Sequence, residues 1–199
     1  MSEANAETLR SYEARIQEYI AGTPPDIPRD WLDFALAGLD ARARIVEIGS
    51  AYGRDAAYIK SKGFGVECTD AAAGFVRELL SRGFEARLFN LVADRFAPVY
   101  DLILANAVFL HFERAQLPKI LRDMRAGLKP GGRLAFSLKD GSGEGVSDEK
   151  IGAPRYFCYW RAEQLPPLLQ AAGFATWRID SARINHAQHS RWLFIVATA

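Results

Sequence analysis

Cysteine is scarce in this sequence: there are two residues in 199, Cys68 and Cys158. They have neither the paired spacing of a zinc site nor the density of a secreted disulfide framework, so both are read as reduced thiols, Cys68 in a buried strand. An excess of charge is missing too. Lys plus Arg number 25 and Asp plus Glu 24, leaving a net charge of +1 and no field to draw the chain to nucleic acid or an anionic membrane. No apolar run approaches the roughly 20 residues that span a bilayer. The opening MSEANAET has no secretory apolar region. There are three histidines, two of them in His186-x-x-His189 without a cysteine or acid pair nearby, so no metal site is expected. The expectation is a cytoplasmic protein, monomer or homodimer, whose partner is a small molecule rather than DNA, RNA or a membrane.

What is present is the composition of one soluble domain over 1–199, with 49% hydrophobic and 25% charged residues. The informative stretch is Arg44–Asp55, RIVEIGSAYGRD. Ile45, Val46 and Ile48 form a strand, small residues at 49, 51 and 53 form a tight turn, and a helix starts near Asp55. Such a junction presents bare backbone N–H groups to a ligand at the end of a buried strand. A dinucleotide fingerprint would need a third glycine at position 54, and Arg54 stands there.

The set Glu47-x-Gly49-x-Ala51-x-Gly53 resembles the first motif of class I S-adenosylmethionine (SAM) dependent methyltransferases, with Ala51 where that family usually has glycine. Further matches follow in order. Val66–Thr69 is a short strand ending on Asp70, Glu85–Phe89 is a third ending on Asn90-Leu91, and Tyr100–Asn106 is a continuous apolar strand of the buried parallel kind. Ala107–Phe112, with His111, resembles the family's fourth motif, and Leu128-Lys129-Pro130-Gly131-Gly132 resembles its turn into a fifth strand, Arg133–Leu138. The resemblance implies a doubly wound, Rossmann-like α/β fold: a mostly parallel seven-stranded sheet, an antiparallel C-terminal strand and helices on both faces.

Around this core (41–138) the periodicity predicts an N-terminal helix over 3–21 and a second helix bearing Trp31, Leu32, Phe34 and Ala35, together 1–40. A helix over 71–82 would turn Phe75, Val76, Leu79 and Leu80 inward. Residues 139–160 read as a long glycine-rich substrate loop with an aromatic, basic end, and 161–199 as a helix and two strands. The loop resembles small bacterial methyltransferases of the tellurite-resistance-like type.

The resemblance implies SAM as cofactor and S-adenosylhomocysteine as its product. Gly49, Ser50, Ala51, Gly53 and Asn106 would hold the amino-acid end, Glu47 would orient the loop, and Asn90 and Leu91 would meet the adenine. Asp70 would accept both ribose hydroxyls; the bland alternative is a helix cap. Tyr12 and Tyr19 of the N-terminal helix, with Arg155, Tyr156 and Tyr159 of the loop, are candidates for the substrate wall. His111, with an intrinsic pKa near 6.5, is a candidate base or orienting group. The stretch after strand four lacks the Pro-Pro-aromatic string of adenine N-methylating relatives, and no Pro-Cys pair offers a pyrimidine nucleophile. Two alternatives remain at this point: a SAM-binding protein of the same fold without turnover, or a nicotinamide-dependent oxidoreductase.

Overall fold

The structure is a computed structural model describing residues 2–23, 29–97, 99–183 and 191–199. Helices α1 (Glu3–Ala14), α2 (Ile16–Ala21) and α3 (Arg29–Leu36) precede the sheet. Then come β1 (Ile45–Ile48), α4 (Arg54–Ser61), β2 (Glu67–Asp70), α5 (Ala73–Ser81), β3 (Ala86–Leu88), β4 (Tyr100–Ala105), α6 (Leu117–Gly127) and β5 (Leu128–Lys139). A hairpin of β6 (Glu144–Ser147) and β7 (Arg155–Cys158) leads to α7 (Leu165–Ala171), β8 (Thr176–Arg183) and β9 (Arg191–Thr198).

The sheet runs in the order β3-β2-β1-β4-β5-β9-β8. Strands β1 to β5 pair in parallel, and β9 runs antiparallel between β5 and β8. The pleat sorts the core onto two faces. Val46, Ile48, Ile103 and Phe136 pack with Leu117, Leu121 and Leu165 on one side; Ile45, Leu102, Leu104 and Ala135 pack with Trp31, Leu32 and Ile59 on the other. Burial on both faces is why β4 and β5 read as unbroken apolar runs.

Several expectations need correcting. The single helix over 3–21 breaks at Arg15, whose φ of −130° and ψ of 38° leave the helical region. The buried face of α1 is polar, formed by Asn5, Thr8 and Ser11. Leu80 points outward and is 53% exposed. The expected loop over 139–160 contains β6 and β7, paired antiparallel from Glu144–Cys158 to Ser147–Arg155. The Lys129–Gly132 turn is a register break inside a longer β5. His186 and His189 lie outside the described residues. Among the described residues no helix is long and apolar enough to cross a membrane, and no cluster of three or more histidines, cysteines or acids is placed to hold a metal.

Candidate active site

β1 and β4 are neighbours whose connections leave toward opposite sides of the sheet, so their C-terminal ends open a crevice. Gly49 follows β1 with φ of +66°, and a Cβ there would lie 2.6 Å from Cγ2 of Val108, just past β4. Gly53 has φ of +85°, and a Cβ would lie 2.6 Å from the Phe84 ring. Glycine at both places answers a left-handed backbone and a close approach together. Ala51 is left-handed as well, with φ of 49°. The loop is tied down around it. Ser50 N–H donates to the Thr69 carbonyl at 2.9 Å, and the Ser50 hydroxyl donates to the Glu47 carbonyl at 3.1 Å.

Asp70, at the end of β2, is the post against which the loop leans. Its Oδ2 accepts from Ala51 N–H at 3.0 Å and its Oδ1 from Ala72 N–H at 2.9 Å. The carboxylate thus closes the turn before α5 and holds the glycine loop, with lone pairs left for hydroxyl donors. Burial pushes its pKa up to about 6, against the pull of its backbone N–H bonds.

Glu47 and Asp55 sit close by. The Glu47 carboxyl is held well above the usual range, first by burial and then by Asp55, and its Oε2 is buried without a hydrogen-bond partner. Asp55 pairs with Arg54 at 2.8 Å and accepts from Asn106 Nδ2 at 2.6 Å. Asn106 Oδ1 accepts from the Ser137 hydroxyl at 2.6 Å, so both ends of that amide are engaged.

An open cleft lies over this loop, and it has the concave, largely apolar lining with a few polar groups that small-molecule and cofactor sites show. Of the candidate residues it is lined by Gly49, Ala51, Asp70, Asn90, Leu91, Asn106, Tyr12, Tyr19 and His111. Asn90 also shapes its own turn: Oδ1 accepts from Val92 N–H at 3.0 Å. Phe75, Phe89, Val108 and Phe112 line the cleft too, and sequence reasoning passed over them as sites because an inward apolar side chain reads only as core. Glu47, Ser50, Gly53, Arg155, Tyr156 and Tyr159 are not among the residues that line the cleft.

Helix α1 closes the cleft by polar bonds. Asn5 Nδ2 donates to the His111 carbonyl at 2.7 Å, Ser11 Oγ to the Pro154 carbonyl at 2.6 Å, and Tyr156 N–H to Thr8 Oγ1 at 2.9 Å. Glu13 receives Gly74 N–H near the start of α5 at 3.0 Å. His111 ends a single 3-10 turn, Phe109–His111, beneath this lid. Burial drives its pKa down to about 3, which makes it a neutral hydrogen-bonding group and not a base titrating near 6.5. Tyr159 carries its backbone into the hairpin, with its N–H on the Gly143 carbonyl at 3.0 Å.

A sheet with one antiparallel strand wedged between its last two neighbours, and a glycine loop braced by the acid ending β2, has the architecture of the class I SAM-dependent methyltransferases. A family model described as a methyltransferase domain matches residues 12–179, and the chain belongs to that family. Membership of that family replaces the nicotinamide reading. Among solved structures, a 1,6-didemethyltoxoflavin-N1-methyltransferase of Burkholderia thailandensis with bound S-adenosylhomocysteine matches with TM-score 0.72 and 21% identity, covering 98% of this chain and 86% of that one. A phosphoethanolamine N-methyltransferase 2 of Haemonchus contortus, with SAM, matches with TM-score 0.75 and 13% identity, covering 100% of this chain and 60% of that one. A curated protein named hemagglutinin 1 of Eikenella corrodens is 26% identical over 107 residues, 50% of this chain and 36% of that protein. The matched region thus spans about a third of that relative's length.

Proposed function

We propose that this chain transfers the methyl group of SAM to a small-molecule acceptor held between the glycine loop and helix α1. The observation that carries the reading is the Asp70 carboxylate, buried, facing the cleft and bonded to Ala51 N–H at 3.0 Å. Asp70 would take the ribose hydroxyls and Asn90 and Leu91 the adenine. Gly49, Ser50, Ala51, Gly53 and Asn106 would take the amino-acid end, with Glu47 orienting the loop. Bound there, SAM supplies an electrophilic methyl on a sulfonium.

Holding an acceptor in line with that methyl can contribute roughly 7–11 kcal/mol, so no dedicated nucleophile is required of the chain. Tyr12 and Tyr19, backed by Arg155, Tyr156 and Tyr159, would orient the acceptor. His111 would act through Tyr12, fixing where the phenol hydrogen points. The resemblance of 139–160 to the tellurite-resistance-like enzymes supports the small-molecule branch.

The test is calorimetric titration with SAM and S-adenosylhomocysteine, repeated on Asp70→Ala after thermal denaturation confirms that the variant is folded. Micromolar binding that weakens at least about tenfold, a loss of about 1.4 kcal/mol, supports the reading. No binding to the wild type overturns it.

A further inference from the structure

Behind the tyrosine wall of the cleft, three cationic residues gather with no acidic partner among the described residues. Arg155 opens β7 and is 5% exposed. Its Nη1 reaches the Tyr12 hydroxyl at 3.4 Å, its Nε is buried with no hydrogen-bond partner, and its guanidinium lies over the rings of Tyr12 at 5.7 Å and Phe157 at 5.1 Å. Lys139, at the end of β5, stands over Phe157 at 4.2 Å and Tyr159 at 5.9 Å. Lys150, between the two hairpin strands, donates to the Thr23 hydroxyl at 2.7 Å and stands 4.0 Å from the Tyr19 ring centre. Among the described residues none of the three forms an ion pair. Glu149, the acid whose field reaches Lys139, is itself exposed.

Buried charges in proteins are ordinarily paired, because an unpaired ion keeps its full desolvation cost. The aromatic rings around this group recover part of that cost as cation–π attraction. They cannot satisfy the Arg155 Nε–H. The mutual repulsion is visible in Lys150, whose pKa is pushed down to about 7 by burial and then by Arg155, Arg54 and Lys139. No acid among the described residues pairs with this group, and the cleft adjoins it, since Arg155 and Lys150 lie directly against the cleft-lining Tyr12 and Tyr19 rings.

We infer that Arg155, Lys139 and Lys150 are the receptor for a doubly charged oxyanion on the methyl acceptor, a phosphate or phosphonate group, reached when the Tyr12 or Tyr19 ring turns aside. A single carboxylate would leave the group short of negative charge, whereas a dianion with three acceptor oxygens matches a guanidinium fork flanked by two ammonium groups. This inference rests on the reading that the acceptor binds in this cleft.

The probes are inorganic phosphate, methylphosphonate and acetate, titrated calorimetrically into the full chain near neutral pH, with S-adenosylhomocysteine titrated in parallel. Phosphate and methylphosphonate are expected to bind at least about tenfold more tightly than acetate. Lys139→Gln, at a partly exposed site that tolerates the change, is expected to weaken phosphate at least about fivefold while S-adenosylhomocysteine stays within about twofold. Arg155→Lys keeps the charge but removes the fork, and is expected to weaken phosphate as well. Phosphate binding that is absent, no tighter than acetate, or unchanged in Lys139→Gln while S-adenosylhomocysteine binds normally overturns the receptor and leaves the methyltransferase reading standing. Phosphate binding lost in Lys139→Gln, in a chain that never binds S-adenosylhomocysteine, upholds the receptor and sinks the cofactor reading.

Discussion

The Tyr12 hydroxyl lies 2.8 Å from His111 Nε2, and the direction of that bond is set from the other side of the ring. His111 Nδ1 lies 2.7 Å from the Tyr156 carbonyl, which can only accept, so Nδ1 carries the hydrogen and Nε2 accepts from the phenol. The imidazole is neutral in this arrangement, and ¹⁵N NMR at neutral pH is expected to show the Nδ1–H tautomer. The unfolded chain takes up this proton near pH 6.5, the folded chain only near 3. Stability from this residue is therefore complete above about pH 6.5 and is lost as pH falls toward 3. Urea midpoints of wild type and His111→Gln should converge over that window; parallel curves would count against a buried neutral imidazole.

Lys150 gives the opposite limb. Its folded pKa of about 7 lies below the unfolded value near 10.4, so the unfolded state holds more protons between them and stability rises with pH through that interval. Lys150→Met is expected to flatten the rise in denaturation midpoint from about pH 7 to 10. A slope identical to wild type would show that Lys150 titrates normally.

Gly49→Ala forces a side chain into a left-handed residue and toward Val108 Cγ2, 2.6 Å from the new Cβ. The backbone term costs about 1–2 kcal/mol, with the contact in addition. The double variant with Val108→Ala should recover the contact and leave the backbone term, as read by urea denaturation. Full recovery would mean that the loop does not need its left-handed turn.

Thr8→Val keeps the shape of the side chain but leaves Tyr156 N–H without its acceptor. The loss is about 1–3 kcal/mol, and it falls on the α1 contact. Hydrogen exchange at residues 3–14 and at Tyr156 should speed by about five- to hundredfold while β4 and β5 are unchanged. Uniform acceleration would place α1 in the global folding unit instead.

Much of the fold was legible because local rules decided it. Gly49 and Gly53 stand where a left-handed turn must follow β1, Asp70 ends β2 beside that turn, and the apolar run of β4 marks burial on both faces. The hairpin of β6 and β7 was not legible: Glu144–Ser147 is largely exposed, and its pairing with Arg155–Cys158 supplies the order its own pattern lacks. Periodicity marks the N-terminal helix but not its buried face, which is Asn5, Thr8 and Ser11. That face meets carbonyls and an N–H of the chain below, a surface that hydrophobic spacing does not register.

The sequence by itself determined the sheet class, the glycine loop and the acid that braces it, because these depend on backbone conformation over a few residues. The tertiary structure alone decided the His111 tautomer, its depressed pKa and the gathering of cations around Arg155. Those depend on which groups share a low-dielectric space. Tyr12 meets His111 across 99 residues and Arg155 across 143, separations at which no local pattern can name a partner.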